Sequence, residues 1–267
     1  MIDYPFGVHI ETTGRCNASC KYCPHGISPR RNMDMSDELF AKILEELKTL
    51  PINVCVSMMK LGEPFLDSKI CKRLLAINKL DNVWIEIHTN LSILTPKILG
   101  TLTQLKRLHQ IWVSMNWMDS RTYHEQMGLN FENTITNVNK LLASKLVNKV
   151  AIGRVQNSRI YDSEWNNWIV KTFPKAELIG TLHQGDWCNY VESESLLAQS
   201  LVCKRLGDVS VCCDGKVALC CMDGLCEYEL GDINTQTMLE VFNSDKAKRY
   251  RTTPRAQIAP CKTCTFE

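Results

Sequence analysis

The sequence lacks the features that identify several large classes of protein. Lys and Arg total 31 and Asp and Glu total 29, so no excess of positive charge indicates a nucleic-acid partner. No run approaches about 18 uninterrupted apolar residues, so we expect no membrane span. Residues 1–5 contain no basic segment followed by an apolar one, so we expect no signal peptide. Together these absences predict a cytoplasmic protein.

Cysteine, in contrast, is abundant, with 14 among 267 residues. That is too few for a small disulfide scaffold and many for a cytosolic enzyme. The cysteines fall in two groups, in residues 16–23 and 203–264, with Cys55, Cys71 and Cys188 scattered between them. Clustered cysteines in a chain without a secretory signal are more often metal ligands than disulfides. Two groups therefore predict two metal centres.

Cys16, Cys20 and Cys23 form a C-x3-C-x2-C pattern. Three thiolates this close together can hold one iron–sulfur cubane, because cysteine sulfur is its usual ligand. Three ligands leave one iron of a four-iron cluster open, and such an iron can chelate a small molecule and pass it an electron. A structural zinc site needs four ligands, and none completes this group at ordinary spacing, although His25 follows closely. The pattern predicts an iron–sulfur cluster, with zinc or unligated core cysteines as alternatives.

From residue 8 to about residue 183, short apolar runs alternate with amphipathic segments, as in a parallel sheet wrapped by helices. The predicted strands are residues 8–12, 54–60, 83–88, 110–115, 149–155 and 177–182. The predicted helices are residues 36–50, 68–80, 96–105, 131–146 and 163–173. We therefore predict an α/β fold, with a partial (β/α)6 TIM-like barrel over residues 1–183.

The pattern changes after residue 183. Residues 184–202 are predicted to be a polar connector, and residues 203–267 carry most of the remaining cysteines. Within them, two short apolar runs around Asp214 and Gly215, a favoured two-residue turn, predict a β-hairpin of residues 209–211 and 216–219. A helix is predicted over residues 237–251. The chain is thus predicted to end in a small domain made of a β-hairpin plus a helix.

Four cysteines of this domain are predicted to converge as ligands, namely Cys203, Cys220, Cys261 and Cys264, with Cys221 as the alternative to Cys220. Spacing alone allows a zinc ribbon or a [4Fe–4S] cluster, since both accept four cysteines. The other cysteines of the domain are interpreted as small buried hydrophobes, the alternative being a hydrogen-atom donor or an extra ligand.

With Tyr22 as its aromatic residue, just after an apolar strand, the first cysteine group resembles the signature of radical S-adenosylmethionine (radical SAM) enzymes. Gly62, Glu63 and Pro64, after the second predicted strand, resemble the Gly-Glu-Pro motif of that family. The resemblance implies that the open iron binds SAM, whose one-electron cleavage yields methionine and a 5′-deoxyadenosyl radical that abstracts a substrate hydrogen. It also implies that oxygens of Gly62 and Glu63 receive the SAM ammonium.

Further positions follow from the same resemblance. Thr89 and Asn90 resemble the family's Thr-Asn-Gly without its Gly, and the alternative is that Asn90 caps the next turn. Ser114 and Asn116 stand where the family often has Ser-x-Asp contacting SAM. The Arg that the family often places later is absent. We hypothesise that Arg154 replaces it, the alternative being an Arg whose stem covers the sheet edge. His88 is interpreted as an interior histidine, with a polar residue at the barrel mouth as the alternative.

The C-terminal segment resembles the SPASM/twitch extension of radical SAM enzymes, from Cys203-Lys-Arg through Asp214-Gly-Lys-Val-Ala-Leu-Cys220 to the closing C-x2-C. This resemblance implies that the four predicted ligands hold a second, auxiliary [4Fe–4S] cluster. We therefore expect two [4Fe–4S] clusters and SAM as cofactors.

Size, the single auxiliary cluster and the order of motifs most resemble the 2-deoxy-scyllo-inosamine dehydrogenase type. The resemblance implies a radical SAM oxidoreductase that oxidises a secondary alcohol of a sugar or aminocyclitol, with the auxiliary cluster as electron acceptor and a flavodoxin or ferredoxin as reductant. One alternative is radical oxidation or epimerisation of a peptide or protein side chain. Another is a non-catalytic metal-binding or electron-transfer protein. No motif assigns the general base.

Overall fold

The computed structural model describes residues 4–155, 159–182, 185–192 and 201–266. In these ranges the strands are β1 Gly7–Ile10, β2 Val54–Met58, β3 Val83–Thr89, β4 Leu108–Ser114, β5 Val150–Val155, β6 Glu177–Leu182, β7 Val209–Val211, β8 Lys216–Ala218 and β9 Gly231–Asp232. The α-helices are α1 Asp37–Thr49, α2 Ile70–Ile77, α3 Pro96–Leu102, α4 Ser120–Met127, α5 Phe131–Leu142, α6 Arg159–Thr172, α7 Met238–Phe242 and α8 Asp245–Thr252. The predicted α/β class is confirmed.

The six strands predicted for the barrel form one parallel sheet in the order β6-β5-β4-β3-β2-β1, with helices in the connections between them. The predicted N-terminus of α1 is confirmed, because the Ser36 side chain accepts a hydrogen bond from Leu39 N. A sheet of six parallel strands that does not close on itself corresponds to the predicted partial barrel.

Helix α4 was not predicted from the sequence. It is polar, and it buries only Tyr123 and Met127 among its side chains, so its apolar periodicity is weak. Its ends nevertheless carry local signals. Asp119 caps the N-terminus by accepting from Thr122 N, and Gly128 follows the C-terminus with a left-handed φ of 69°.

The single helix predicted over residues 237–251 is wrong. Two short helices, α7 and α8, occupy this segment, because Asn243 ends the first and Ser244 caps the second by accepting from Ala247 N. The hairpin of β7 and β8 is confirmed, and β9, too short to show a periodic pattern, extends it.

The C-terminal hairpin continues the barrel sheet. Strand β7 pairs in parallel with β1, with Val8 opposite Val209, and Glu11 N donates to Val211 O at 2.9 Å. The two domains expected on either side of residues 184–202 therefore share one nine-stranded sheet. Residues 183–184 and 193–200, which include much of the predicted connector, lie outside the described residues.

Successive residues of each barrel strand point to opposite faces of the sheet, one facing the hydrophobic core and the other the inside of the barrel. Val8, Ile10, Val56, Ile85 and Ile87 are fully buried in the main hydrophobic core. The residues between them point to the opposite face of the sheet, which is the inside of the barrel. Within the described ranges, no helix is both long and apolar enough to cross a membrane.

Candidate active site between two cysteine groups

A cavity of about 640 Å³ fills the inside of the barrel and the carboxyl ends of its strands. Ligands of parallel α/β folds bind at those ends, so this is the expected place for a site. The wall includes members of both cysteine groups, with Cys16, Cys20 and Cys23 from the first and Cys221 from the second. The first predicted metal centre therefore borders this space, and one cysteine of the second group reaches it.

The first cysteine loop rests on the end of helix α4. Ser19 N donates to Met127 O at 2.8 Å, and Lys21 N donates to Gln126 O at 3.1 Å. A Cβ on Gly128 would lie 2.2 Å from Ser19 Oγ, so this position has room only for glycine. The helix that sequence reasoning missed thus positions the loop that carries the motif.

The three thiols of this loop are largely withdrawn from water. Burial raises the pKa of Cys16, Cys20 and Cys23 to about 12, and neighbouring thiols of the same group add to the rise. Within the described ranges, no three side chains of Cys, His, Asp or Glu converge with metal-ligand geometry.

Glu63 is buried and joins the ends of two strands. Its Oε1 accepts from Phe65 N at 3.1 Å and from Thr89 Oγ1 at 2.7 Å, and its Oε2 accepts from Asn90 N at 2.8 Å. Burial raises the pKa of Glu63 to about 7. A carboxylate offers about four acceptor positions, so one remains on Oε2.

The residues around Glu63 fit closely against the segment that precedes the cysteine loop. A Cβ on Gly62 would lie 1.8 Å from Thr13 O, and Glu63 N donates to Arg15 O at 2.8 Å. Pro64 is buried and begins a short 3-10 turn. The Gly-Glu-Pro segment therefore lies directly beside the first cysteine group, as the spacing of the motifs predicts.

Asn90 and Asn116, both buried, hold neighbouring loops in place. The Asn90 Nδ2 donates to Asn17 Oδ1 at 3.2 Å and approaches Cys16 Sγ at 4.0 Å. The Asn116 Oδ1 accepts from Val155 N at 2.7 Å. Ser114 and Tyr22 also lie on the cavity wall, together with Gly62, Glu63 and Arg154.

Arg154 is buried on the cavity wall and already has an anionic partner. Its Nη1 lies 2.8 Å from Asp162 Oδ1. The guanidinium carbon lies 4.5 Å from the ring centroid of Tyr161, 5.6 Å from that of Trp117 and 6.0 Å from that of Trp165. Burial lowers the pKa of Arg154. The side chain lies among aromatic rings and does not cover a sheet edge, because β5 is flanked by β4 and β6.

The second cysteine group gathers around Cys203. Burial raises the pKa of Cys221 and Cys264 and raises that of Cys261 to about 11, and the charge of Cys203 adds to the rise in all three. At Cys220, burial again raises the pKa, and the neighbouring thiols of Cys221 and Cys188 add to the rise. The four predicted ligands are all partly exposed, whereas Cys221 is buried.

Part of the predicted connector passes between the two cysteine groups. The Trp187 Nε1 donates to Tyr22 O at 3.0 Å, inside the first group. Next to it, Cys188 Sγ lies 3.6 Å from Met222 O, beside the second group. The connector therefore contacts both sides of the cavity.

A buried ion pair, which no sequence motif indicates, links the barrel to the C-terminal segment. The Arg30 Nε donates to Glu11 Oε2 at 3.1 Å, with both side chains almost fully buried. The same carboxylate accepts from Cys213 N at 3.2 Å. The Arg30 terminal nitrogens donate to Gly224 O at 2.6 Å and Leu225 O at 3.2 Å. Arg30 thus finds its anion in the barrel and its other hydrogen-bond acceptors in the C-terminal segment.

Two imidazole–carboxylate pairs also face the barrel interior. His88 Nε2 lies 3.9 Å from Glu86 Oε2, and His9 Nε2 lies 3.7 Å from Asp208 Oδ2. All four residues line the cavity. His88 thus lies inside the barrel with an anionic partner, as the interpretation of an interior histidine expects, and it also lines the cavity. Alternation along β3 was the only sequence signal for the first pair.

Two family models match the chain. The model of the Radical SAM superfamily matches residues 10–155, more than half of the chain. The model of an iron-sulfur cluster-binding domain matches residues 203–265. Among curated proteins, S-adenosyl-L-methionine-dependent 2-deoxy-scyllo-inosamine dehydrogenase of Niallia circulans is 33% identical over 104 residues, which are 37% of this chain and 40% of that relative.

Several solved structures share the fold. BtrN in complex with AdoMet and 2-DOIA has a TM-score of 0.70 and 20% identity, over 99% of this chain and 94% of that chain. Streptococcus suis SuiB bound to precursor peptide SuiA has a TM-score of 0.74 and 14% identity, over 98% of this chain and 70% of that chain. Native anSMEcpe with bound AdoMet has a TM-score of 0.69 and 18% identity, over 92% of this chain and 83% of that chain.

The family matches confirm the resemblance and the expected cofactors. The superfamily uses a [4Fe–4S] cluster and SAM, and the C-terminal domain implies a further iron–sulfur cluster. The superfamily match and the dehydrogenase relative indicate an enzyme, an oxidoreductase. On the match over residues 10–155, the chain belongs to the radical SAM superfamily.

Proposed function

We propose that this enzyme oxidises a secondary alcohol of a sugar or aminocyclitol to a ketone, with the auxiliary cluster as electron acceptor. The observation that carries the proposal is the single cavity bordered by both cysteine groups. A substrate held there lies between a source of radicals and an acceptor of electrons. The relative from Niallia circulans, named as a 2-deoxy-scyllo-inosamine dehydrogenase, supports the same reaction class.

In this proposal Cys16, Cys20 and Cys23 hold the first cluster, whose open iron binds SAM. When bound, that pair of cofactors supplies a carbon radical that removes one hydrogen atom from the substrate. Gly62 offers a backbone carbonyl and Glu63 its remaining Oε2 position to the SAM ammonium. Both suit a cationic amine because they present acceptors that are already fixed in place.

The other predicted SAM contacts lie farther around the same wall. Ser114 and Asn116 present short polar groups suited to ribose hydroxyls, and Asn90 lies between the cysteine loop and Glu63. Arg154 is proposed to meet the SAM carboxylate. Its guanidinium has donors beyond the one facing Asp162, so a second anion can share it.

The auxiliary cluster is proposed to be held by Cys203, Cys261, Cys264 and one of the adjacent pair Cys220 and Cys221. Of that pair, Cys220 is partly exposed like the other three ligands, whereas Cys221 is buried and borders the cavity. The proposed division of the chain keeps the barrel in residues 1–183 and this cluster in residues 203–267, joined by the connector.

Cavity size favours a small substrate. The cavity of about 640 Å³ lies within the range of about 300–1,000 Å³ that is common for small ligands, and SAM occupies part of it in this proposal, so the room left suits a small substrate. The charged lining is mixed and includes Lys60 and Arg205 as well as Glu86 and Asp208, as suits a substrate with several hydroxyls and an amine. Peptide modification remains the alternative that the experiment below separates.

The reaction balances with the groups named. The substrate carbon loses a hydrogen atom to the 5′-deoxyadenosyl radical, its hydroxyl loses a proton to a base, and one electron passes to the oxidised auxiliary cluster. The products are a ketone, 5′-deoxyadenosine and methionine. Cleavage of SAM uses one electron, and oxidation of the substrate releases one electron. A flavodoxin or ferredoxin is therefore proposed only to start or restore the cycle.

The test is an anaerobic assay of reconstituted protein with dithionite, SAM and 2-deoxy-scyllo-inosamine. We expect about eight irons per chain and equal yields of 5′-deoxyadenosine and ketone. The matched control carries Ala at Cys16, Cys20 and Cys23 and should keep about four irons without cleaving SAM. SAM cleavage with no ketone would contradict alcohol oxidation, and no cleavage at all would favour the non-catalytic alternative.

A further inference from the structure

The barrel interior carries a row of polar side chains, one from each of four neighbouring strands. Register places His9 beside Ser57, Ser57 beside Glu86, and Glu86 beside Gln110. All of them line the cavity. His88 stands two positions further along β3, towards the carboxyl ends of the strands where the proposed SAM contacts lie. The row therefore forms the part of the wall that faces a substrate placed beneath SAM.

Of the two imidazoles that the described residues place in this region, one is accessible. The His9 side chain is 6% exposed, and burial, with a smaller effect of the Lys60 charge, lowers its pKa to about 3. The His88 side chain is 29% exposed, and so is about as open to the cavity as its partner Glu86 at 27%. A group that exchanges a proton with substrate must reach it, and this requirement selects His88.

The surroundings of His88 fix its ring. It stacks on Trp112 with centroids 5.5 Å apart and an interplanar angle of 16°. Its Nε2 faces Glu86 at 3.9 Å, so Nδ1 is the nitrogen left for another partner. The ring therefore has both a defined plane and a defined direction.

Glu86 is suited to stabilise a charged imidazole. Its Oε2 accepts from Ser57 Oγ at 3.3 Å, and hydrogen bonding with His88 lowers its pKa against the opposing effect of burial. An ionised carboxylate on one side of an imidazole orients it and stabilises the imidazolium that forms when the ring takes a proton. This pair thus has the arrangement of a base and its orienting anion.

We propose that His88 accepts the hydroxyl proton during alcohol oxidation and that Glu86 is the positioning residue that holds it. The inference rests on the proposed function and supplies the base that the reaction requires. In the step, the substrate carbon has already lost its hydrogen atom to the 5′-deoxyadenosyl radical; the O–H bond then breaks as its proton joins the imidazole, and the C=O bond forms. The auxiliary cluster, when bound and oxidised, would take up the one electron left over.

The experiment compares reconstituted wild-type enzyme with His88→Ala, Glu86→Gln and a control, His124→Ala. His124 is an exposed histidine on α4. Each protein receives SAM, dithionite and one of three probes, 2-deoxy-scyllo-inosamine, scyllo-inositol or glucosamine, and ketone and 5′-deoxyadenosine are counted separately. A parallel set of His88→Ala reactions contains added imidazole. Iron content of every variant is measured first, so that loss of a cluster is seen directly.

We expect His88→Ala to form ketone about 100-fold more slowly while still cleaving SAM, so that the ratio of ketone to 5′-deoxyadenosine falls. Imidazole should restore part of the ketone, and Glu86→Gln should lower the same ratio less. The control should stay within about twofold of wild type. A structural defect would lower both products together, and imidazole would not reverse it.

The experiment distinguishes failure of the base assignment from failure of the proposed function. If wild type makes ketone from a probe and His88→Ala keeps the same product ratio, the base assignment is wrong and the proposed function stands. If wild type cleaves SAM but makes no ketone from any probe, both the proposed function and the base assignment are wrong.

Discussion

The most direct test of how the fold positions the cysteine loop is Gly128→Ala. Gly128 adopts φ 69°, and an L-residue with a Cβ costs about 1–2 kcal/mol there. The new Cβ would also lie 2.2 Å from Ser19 Oγ, in the loop between the first two cysteines. Relief requires Ser19 to turn or the loop to move, and movement breaks the Ser19 N to Met127 O bond of 2.8 Å.

We therefore expect Gly128→Ala to lower the free energy of unfolding by about 2 kcal/mol, which for a chain of this size lowers the melting temperature by roughly 4–8 °C. The matched control is Gly100→Ala, in helix α3, where an added Cβ would meet nothing within 4 Å. That change should stabilise the protein by up to about 1 kcal/mol, because Ala is the better helix former.

The assay is thermal unfolding of anaerobically reconstituted protein, followed by iron analysis. Gly128→Ala should also lose iron from the first cluster, and the double variant with Ser19→Ala should recover part of the stability because only the backbone strain remains. If Gly128→Ala and Gly100→Ala shifted the melting temperature in the same direction and kept the same iron, the loop would not depend on α4 as described.

Four further predictions follow. Glu11→Gln leaves a buried guanidinium without its anion and should cost about 3–5 kcal/mol in urea unfolding, whereas a loss below about 1 kcal/mol would show that the pair holds nothing together. Burial raises the pKa of Glu63 from 4.5 in the unfolded chain to about 7 in the folded chain, so the folded chain binds more protons than the unfolded chain between these pH values. Without SAM, the free energy of unfolding should therefore fall as pH rises from 5 to 7. Glu63→Gln should remove that slope, and a slope that survives would assign it elsewhere. Cys220→Ala should lose the auxiliary cluster by iron analysis while Cys221→Ala keeps it, and the opposite result would move the ligand assignment to Cys221. Arg154→Ala should weaken SAM binding about tenfold in anaerobic equilibrium dialysis, and unchanged affinity would remove it from the SAM site.

Much of the fold was readable from local pattern. The six barrel strands were predicted to within two residues at either end, because each is a short apolar run bounded by turn residues. Helix α4 was missed since it buries few side chains, and the helix after β9 was drawn too long because Ser244, an N-cap, looks like an ordinary helix residue in sequence.

The candidate site, too, could be predicted from the sequence only in part. The spacing of Cys16, Cys20 and Cys23 and the segment from Gly62 to Pro64 could be recognised because the chemistry demands those residues close together in the chain. The pairing of Glu11 with Arg30, and of His9 with Asp208, could not. These partners lie far apart in sequence, and no local pattern records which strand will lie beside which.

By itself, then, the sequence determined the alternation of strands and helices, the two cysteine groups and the motif beside the first, since all of these depend on neighbours within a few residues. Only the tertiary structure decided that β7 joins β1, that both cysteine groups border one cavity, and that Glu86 and His88 face its interior. The physical reason is that these features depend on parallel pairing between distant strands, and such pairing is selected by the packing of the whole sheet and not by any single segment.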